Sequence, residues 1–421
     1  MKLSTQPYKG TRDFYPEDMR VRKWMFGKWR QACESFGYEE YDGPILEPLE
    51  LFASKTSDEI VNEQTYSFTD RGERKVVMRP EMTPTVSRMV AAKRQELGYP
   101  LRLYSIPNCF RYERPQKGRL REFWQLNADI FGVEDVDADV EIILLADAVM
   151  KIFGADSKSY EFRVGSRQLT NWLIGDYLQI DKDEQVALIR LIDKKDKLSK
   201  DGFREALEND FANVAEKIED LLKVTEMKNL PDGAPIKDLA NLLVRLKDSG
   251  INAKWDIGMM RGFDYYTDIV FEVFDTNPDN NRSMFGGGRY DGLVGQFGVE
   301  PVPTVGFGMG DATFMNFLEA NKLIPDEVNE PETDIYIATI GDVASDAQYI
   351  SGLLRNKGIN VAVDLSGKKL EKQIKTADKK GIKNVLFVGE EEIRTKQFKL
   401  KNIQLGTERA VSIAEIAKIV R

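Results

Sequence analysis

The 421-residue chain predicts an α+β body, interrupted by a helical insertion and followed by a small α/β domain. Three observations carry this expectation. Strand-like stretches joined by loops and helices fill the first 166 residues, the clearest being FRYERPQKGRLREFWQLNADIFG at 110–132. From about 167 to 250 the chain turns to Lys, Asp, Glu and Leu at helical spacing. From Asp334 onward, short apolar runs alternate with helical segments. A chain of this length exceeds one compact core, so two or three domains are expected.

The elements follow in order. Residues 17–37 predict a helix, with Val21, Trp24, Met25, Trp29 and Phe36 set among charges. YDGPILEPLELF (41–52) reads as strand-like, as do 76–79 and 101–106, with a helical pattern over 83–97 between them. Residues 110–132 predict two strands joined by a Pro-Gln-Lys-Gly turn, and 138–153 a largely buried helix. FREALENDFANVAEKIEDLLKV and IKDLANLLVRLKD give the insertion, 167–250, its helices. Strand chemistry resumes at Trp255 and runs through DYYTDIVFEVF to Gly310, so the body consists of 1–166 and 251–320. NKLIPDEVNEPET (321–333), acidic and with two prolines, suits a linker. DIYIATI, a helix to Lys357, INVAVDL, a helix over 367–380 and NVLFVG then predict a mostly parallel sheet in 334–421.

Composition narrows the chemistry. The chain has no histidine, which removes the Ser-His-Asp triad, the Cys-His dyad, imidazole proton shuttles and His-bearing metal sites together. Catalysis would have to run on arginine, lysine, carboxylates, backbone dipoles or a metal. Two cysteines, Cys33 and Cys109, make neither a disulfide framework nor a zinc cluster and point to a reducing cytoplasm. No run approaches the roughly 20 apolar residues of a membrane span, and MKLSTQPYKG lacks the apolar stretch of a signal sequence. A formal net charge of −9 argues against loose nucleic-acid binding. The charge is uneven, however: from Asp334 to the end, 16 Lys and Arg face 11 Asp and Glu, a net +5 that permits a nucleic-acid contact there.

Side chains alternate across a strand, so Phe123, Gln125, Asn127 and Asp129 share one face, and Trp124, Leu126, Ala128 and Ile130 the other. On the preceding strand Arg111 and Glu113 can point the same way. An arginine can clamp phosphate with two prongs, and a glutamate can accept amine hydrogens. The intervening loop can bring Arg119 over the same floor. The pattern fits equally a hairpin with one solvated face. MRPEMTP (78–84) offers Glu81 and Thr83 after a strand, an acid and a hydroxyl suited to an ammonium group. MMRGFDYYTDIVFEVF (259–274) offers Arg261, Asp264 and the tyrosines 265 and 266, for which core packing is the alternative. FGGGRYDGL (285–293) lets backbone approach a ligand closely, but lacks the lysine and hydroxyl of a phosphate P-loop.

These stretches together resemble the histidyl-tRNA synthetase family of class II aminoacyl-tRNA synthetases over nearly the whole chain. KGTRDFYP (9–16) resembles the family's opening signature and GYEEYDGPILEPLELF its motif 1, with Pro44 at the motif's proline. FRYERPQKGRLREFWQLNADIFG resembles motif 2, while RGFDYYT and GGGRYDGL resemble signatures peculiar to the histidine-specific branch. Residues 334–421 resemble the anticodon-binding domain shared by several class II enzymes. The resemblance implies an antiparallel sheet floor holding ATP and L-histidine, with Mg2+ held mainly through the ATP phosphates and no protein metal ligands assignable. It further implies a homodimer formed through motif 1 and tRNA(His) as partner.

Carried over residue by residue, the resemblance implies that Arg111 grips the α-phosphate, Glu113 the adenine amine and Arg119 the outer phosphates. Glu81, Thr83 and Gln125 would hold the substrate amino group. Asp129 and Tyr266 would bracket the imidazole, with Tyr265 and Tyr290 beside it, and Arg261 would bridge the histidine carboxylate and the α-phosphate. The chain departs from the family where motif 3, here GFGMGDATF, has Thr313 in place of arginine. It also has Tyr112 and Trp124 where histidines are frequent, and Asp129 where glutamate is. The missing motif 3 arginine favours an alternative, a non-catalytic synthetase-like regulatory subunit of histidine biosynthesis. Intact Arg111, Arg119 and Arg261 and the C-terminal domain oppose it.

Overall fold

The computed structural model describes residues 3–53, 64–114, 118–193, 195, 198–259, 265–280 and 282–420. The chain divides into two compact units, one of Met1–Asp13 with Met25–Ile324 and one of Phe14–Trp24 with Pro325–Arg421.

The first unit is built on a nine-stranded sheet. Its order is Glu39–Glu40, Leu101–Ser105, Glu122–Phe131, Thr304–Gly310, Ser283–Arg289, Ile269–Asp275, Tyr160–Ser166 and Lys254–Trp255, with Asn108–Phe110 paired beside Glu122–Phe131. Every interior pairing is antiparallel, and only the two edge pairs are parallel. The alternation read at 123–130 sets the central strand: Leu126, Ala128 and Ile130 are buried on one face. Beside that face the helix Asp137–Ile152 buries Ile142, Ile143, Leu145, Ala146 and Val149. Between 167 and 250 the described residues include helices at Lys182–Asp193, Lys200–Phe211, Ala215–Leu221 and Lys237–Asp248. The insertion has its own core around Leu188, Leu207, Phe211 and Ile218.

Three expectations need correction. The strand-like run 41–52 forms only Leu46–Pro48 before a short helix at Glu50–Ala53. Prolines at 44 and 48 withhold ladder donors, which limits pairing there. Arg111 and Glu113 lie beyond the end of the Asn108–Phe110 strand. Their segment is held instead by single backbone bonds, Arg111 N–H to Arg121 C=O at 3.0 Å and Tyr112 N–H to Gln64 C=O at 2.7 Å.

The third correction concerns the second unit. Its five strands run in the order Val361–Val363, Ile335–Ile340, Asn384–Gly389, Phe398–Asn402, Thr407–Val411. The first three are parallel, but the last two form an antiparallel hairpin, so the sheet is evenly mixed. Gly406, at φ +67°, supplies the left-handed residue that closes the hairpin. Ile335 and Ile337 pack on one face, Tyr336 and Ala338 on the other, so both faces are covered. The final helix, Ile413–Ile419, starts in a capping box between Ser412 and Glu415. Ser412→Ala is expected to lower stability by about 1 kcal/mol, read as a shifted urea midpoint.

Candidate active site

The register of the large sheet builds the floor of a cavity of about 450 Å³. Opposite Gln125, Asn127 and Asp129 stand Gly310, Gly308 and Gly306. Opposite Gly308 and Gly306 stand Gly286 and Gly288, and opposite those stand Glu272 and Val270. A trough of glycine two strands wide therefore separates the polar row Gln125, Asn127 and Asp129 from Glu272 and Val270. The trough is already partly filled by those side chains. A Cβ at Gly306 would lie 2.1 Å from Asp129 Oδ1, and one at Gly308 would lie 1.8 Å from Gln125 Nε2. The glycines let the two side chains lie flat across the neighbouring strand.

The walls differ in charge from end to end. At one end Tyr265 donates a hydrogen bond to Glu81 at 3.1 Å, and Tyr290 donates one to Asp129. Tyr265, Tyr266 and Tyr290 meet edge to face, with centroids 5.1–6.5 Å apart. Burial pushes the Asp129 carboxyl up to about 7, against the pull of the Tyr290 hydroxyl. Asp129 Oδ2 and Gln125 Oε1 are buried without a hydrogen-bond partner among the described residues. A buried acceptor left open beside a cavity is ready for a ligand N–H.

The other end is cationic. Arg111 Nε donates to the Pro80 carbonyl at 2.9 Å, and its guanidinium lies 5.3 Å from the Phe123 ring centroid. Arg119 lies 3.6 Å from the Glu113 carboxylate, with 64% of its side chain exposed. Phe123 and Asp129 are six residues apart on one strand, or about 20 Å. The cavity is long enough for an elongated ligand with N–H groups at one end and phosphates at the other.

All the described residues singled out from the sequence line this cavity: Glu81, Thr83, Arg111, Glu113, Arg119, Gln125, Asp129, Tyr265, Tyr266 and Tyr290. Arg261 and Asp264 lie outside the described residues. Thr313 lines the cavity too, its hydroxyl turned to the carbonyls of Met284 at 3.0 Å and Gly310 at 3.1 Å. Sequence reasoning missed Glu272, Met259 and Met284. Glu272 left a signal, the one charge inside the apolar run IVFEVF; single methionines left none.

Comparison with known proteins gives the family. The family model described as histidyl-tRNA synthetase matches residues 10–311, and that of an anticodon-binding domain matches 334–421. A histidine–tRNA ligase of Leptospira biflexa is 41% identical over 432 aligned positions, spanning 100% of this chain and 98% of that one. One of Pyrococcus horikoshii is 35% identical over 98% of each chain. In fold, the crystal structure of histidyl-tRNA synthetase from Nostoc sp. PCC 7120 superposes with a TM-score of 0.80 at 22% identity, covering 100% of this chain and 99% of that one. With a family model over most of its length and full-length relatives at these identities, this chain belongs to the histidyl-tRNA synthetase family.

Proposed function

We propose that the protein is a histidine–tRNA ligase that activates L-histidine with ATP and transfers it to the 3′ end of tRNA(His). The observation that carries this reading is the polarity of the single trough, with the unpartnered Asp129 oxygen at one end and Arg111 and Arg119 at the other. Asp129 accepts the imidazole N–H, Tyr266 flanks the ring, and Tyr290 and Tyr265 hold the two acids in place. Glu81, Thr83 and Gln125 take the amino group. Glu113 receives the adenine amine, and Arg111 the α-phosphate. Arg119 releases Glu113 to reach the outer phosphates, a task made larger by Thr313 in the motif 3 position. Arg261, by family resemblance, bridges the two reacting anions.

In the first step a carboxylate oxygen of histidine attacks the α-phosphorus in line, and pyrophosphate leaves with the electron pair of the broken bond. Neither the nucleophile nor the leaving group needs a proton moved, so a chain without histidine loses nothing. What the step needs is relief of repulsion between two anions, which fixed guanidinium groups provide. Magnesium, entering on the ATP phosphates, would neutralise further charge. The unit at 325–421 contacts the anticodon region of the tRNA, the chain works in the cytoplasm, and two copies pair through motif 1. Among the described residues no helix is long and apolar enough to cross a membrane.

Histidine-dependent exchange of labelled pyrophosphate into ATP tests the reading. Exchange is expected with histidine and not with the other amino acids. No exchange at all would instead support the regulatory-subunit alternative, for which Thr313 in the motif 3 position on the cavity wall is the one observation that speaks.

A further inference from the structure

We infer that Arg289 is a positioning residue for histidine recognition, fixing from the opposite face of the sheet the spacing at which Tyr290 meets Asp129. The inference rests on the proposed role of that pair as ring contacts. Tyr290 directly follows the strand Ser283–Arg289, which is not a neighbour of the strand that carries Asp129. The strand Thr304–Gly310 runs between them, its Val305 paired with Arg289 on one side and Ile130 on the other. On the cavity face the Tyr290 hydroxyl reaches across Gly306 to Asp129. Two inter-strand spacings amount to about 10 Å, a span only a long side chain can bridge.

Arg289, the preceding residue, makes the matching bridge underneath. Its side chain is 6% exposed and that of Asp139 1%, a buried ion pair. Nε donates to both Asp139 oxygens at 3.3 and 3.1 Å, and Nη2 also reaches that carboxylate. Nη1 donates to the Val133 carbonyl at 2.9 Å, and Nη2 to the Asp135 carbonyl at 3.1 Å. Nη1 also lies 3.4 Å from Asp291 Oδ1.

Val133 and Asp135 follow directly on the strand that carries Asp129, and Asp139 opens the helix beyond. One guanidinium therefore ties the end of the Tyr290 strand to the end of the Asp129 strand. The rigid planar fork holds a carboxylate and two carbonyls in fixed directions, where a lysine offers only a compact point charge. Without that tie only the ladder through Thr304–Gly310 holds the two strand ends at their spacing, and a misplacement near 1 Å in a site costs as much as a hundredfold.

The test compares Arg289→Lys, Asp139→Asn and Tyr290→Phe in the full-length protein by pyrophosphate exchange, below the unfolding temperature of each. For Arg289→Lys and Asp139→Asn, KM for histidine is expected to rise about tenfold or more while KM for ATP stays within about twofold. Should Arg289→Lys fail to fold, Asp139→Asn keeps the side-chain shape and both carbonyl bonds, and decides alone. Equal rises in both KM values, or none in either, overturn the positioning role and leave an ordinary structural ion pair. Tyr290→Phe separates the two layers: if it leaves KM for histidine unchanged, the ring-contact reading itself fails. If it raises KM while the other two do not, only the role of Arg289 is lost.

Discussion

Asp129→Asn is expected to raise KM for histidine by about 100-fold or more, while making the folded protein more stable at pH 8. The first effect follows from chemistry at one atom. Asp129 Oδ2 is a buried acceptor with no partner among the described residues, and asparagine presents an N–H donor or a single acceptor already taken by Tyr290. A ligand N–H facing a donor loses its hydrogen bond and leaves a buried polar group unpaired, a loss on this scale. The second effect follows from burial. The carboxyl is raised from its ordinary 3.8 to about 7, so the folded state holds its proton more tightly than the unfolded chain does. The folded protein is therefore penalised as pH climbs from about 4 toward 7, and the penalty is complete above 7. At 1.36 kcal/mol per unit the penalty comes to about 4 kcal/mol. Removing the ionisable group removes it, so the variant should melt above the parent at pH 8 by a margin that shrinks toward pH 5. Thermal scans at the two pH values and exchange kinetics measure both. Unchanged histidine KM, or no gain in melting temperature at pH 8, would show that Asp129 is not an ionised acceptor held ready for substrate.

The trade between binding and stability at Asp129 also marks what the sequence could reveal and what it could not. Alternation along 123–130 was enough to place Gln125, Asn127 and Asp129 on one face, because the side-chain period of a strand is two. It could not place Arg111 and Glu113, since their segment leaves the ladder after Phe110 and is held by lone bonds to Gln64 and Arg121. The helical insertion was legible from composition and spacing alone. The hairpin that makes the second sheet evenly mixed was not, because its strands are short and largely polar, FKLKN and TERAV. Residue chemistry offered Glu81, Tyr265 and Tyr266 as ligand groups, and motif resemblance added Tyr290 and brought them to the central strand, to which no periodicity ties them. The reverse side of the site stayed hidden: Arg289 looked like one more residue in a glycine-rich signature, and its long-range partners Val133, Asp135 and Asp139 exist only in three dimensions.

The glycines themselves were read as an approach for a ligand, whereas the register gives them two distinct tasks, and a pair of alanine substitutions should separate these. In Gly308→Ala the new methyl would fall 1.8 Å from Gln125 Nε2 and 2.9 Å from its Cδ. Those atoms end a flexible side chain, so Gln125 swings away, and the fold loses little while the amino-group contact is lost. In Gly287→Ala the methyl would fall 2.1 Å from the Gly306 carbonyl oxygen and 2.7 Å from Phe307 Cα. Backbone in the middle of a sheet has no such freedom. Overpacking of that kind is expected to cost about 3 kcal/mol or more. Gly308→Ala should thus keep its urea midpoint within about 1 kcal/mol of the parent and show a raised KM for histidine. Gly287→Ala should unfold at markedly lower urea, whatever activity its folded fraction retains. If the two variants proved equally unstable, or if Gly308→Ala bound histidine normally, the glycine columns would be serving strand packing alone, and the place of Gln125 on the floor of the site would have to be given up.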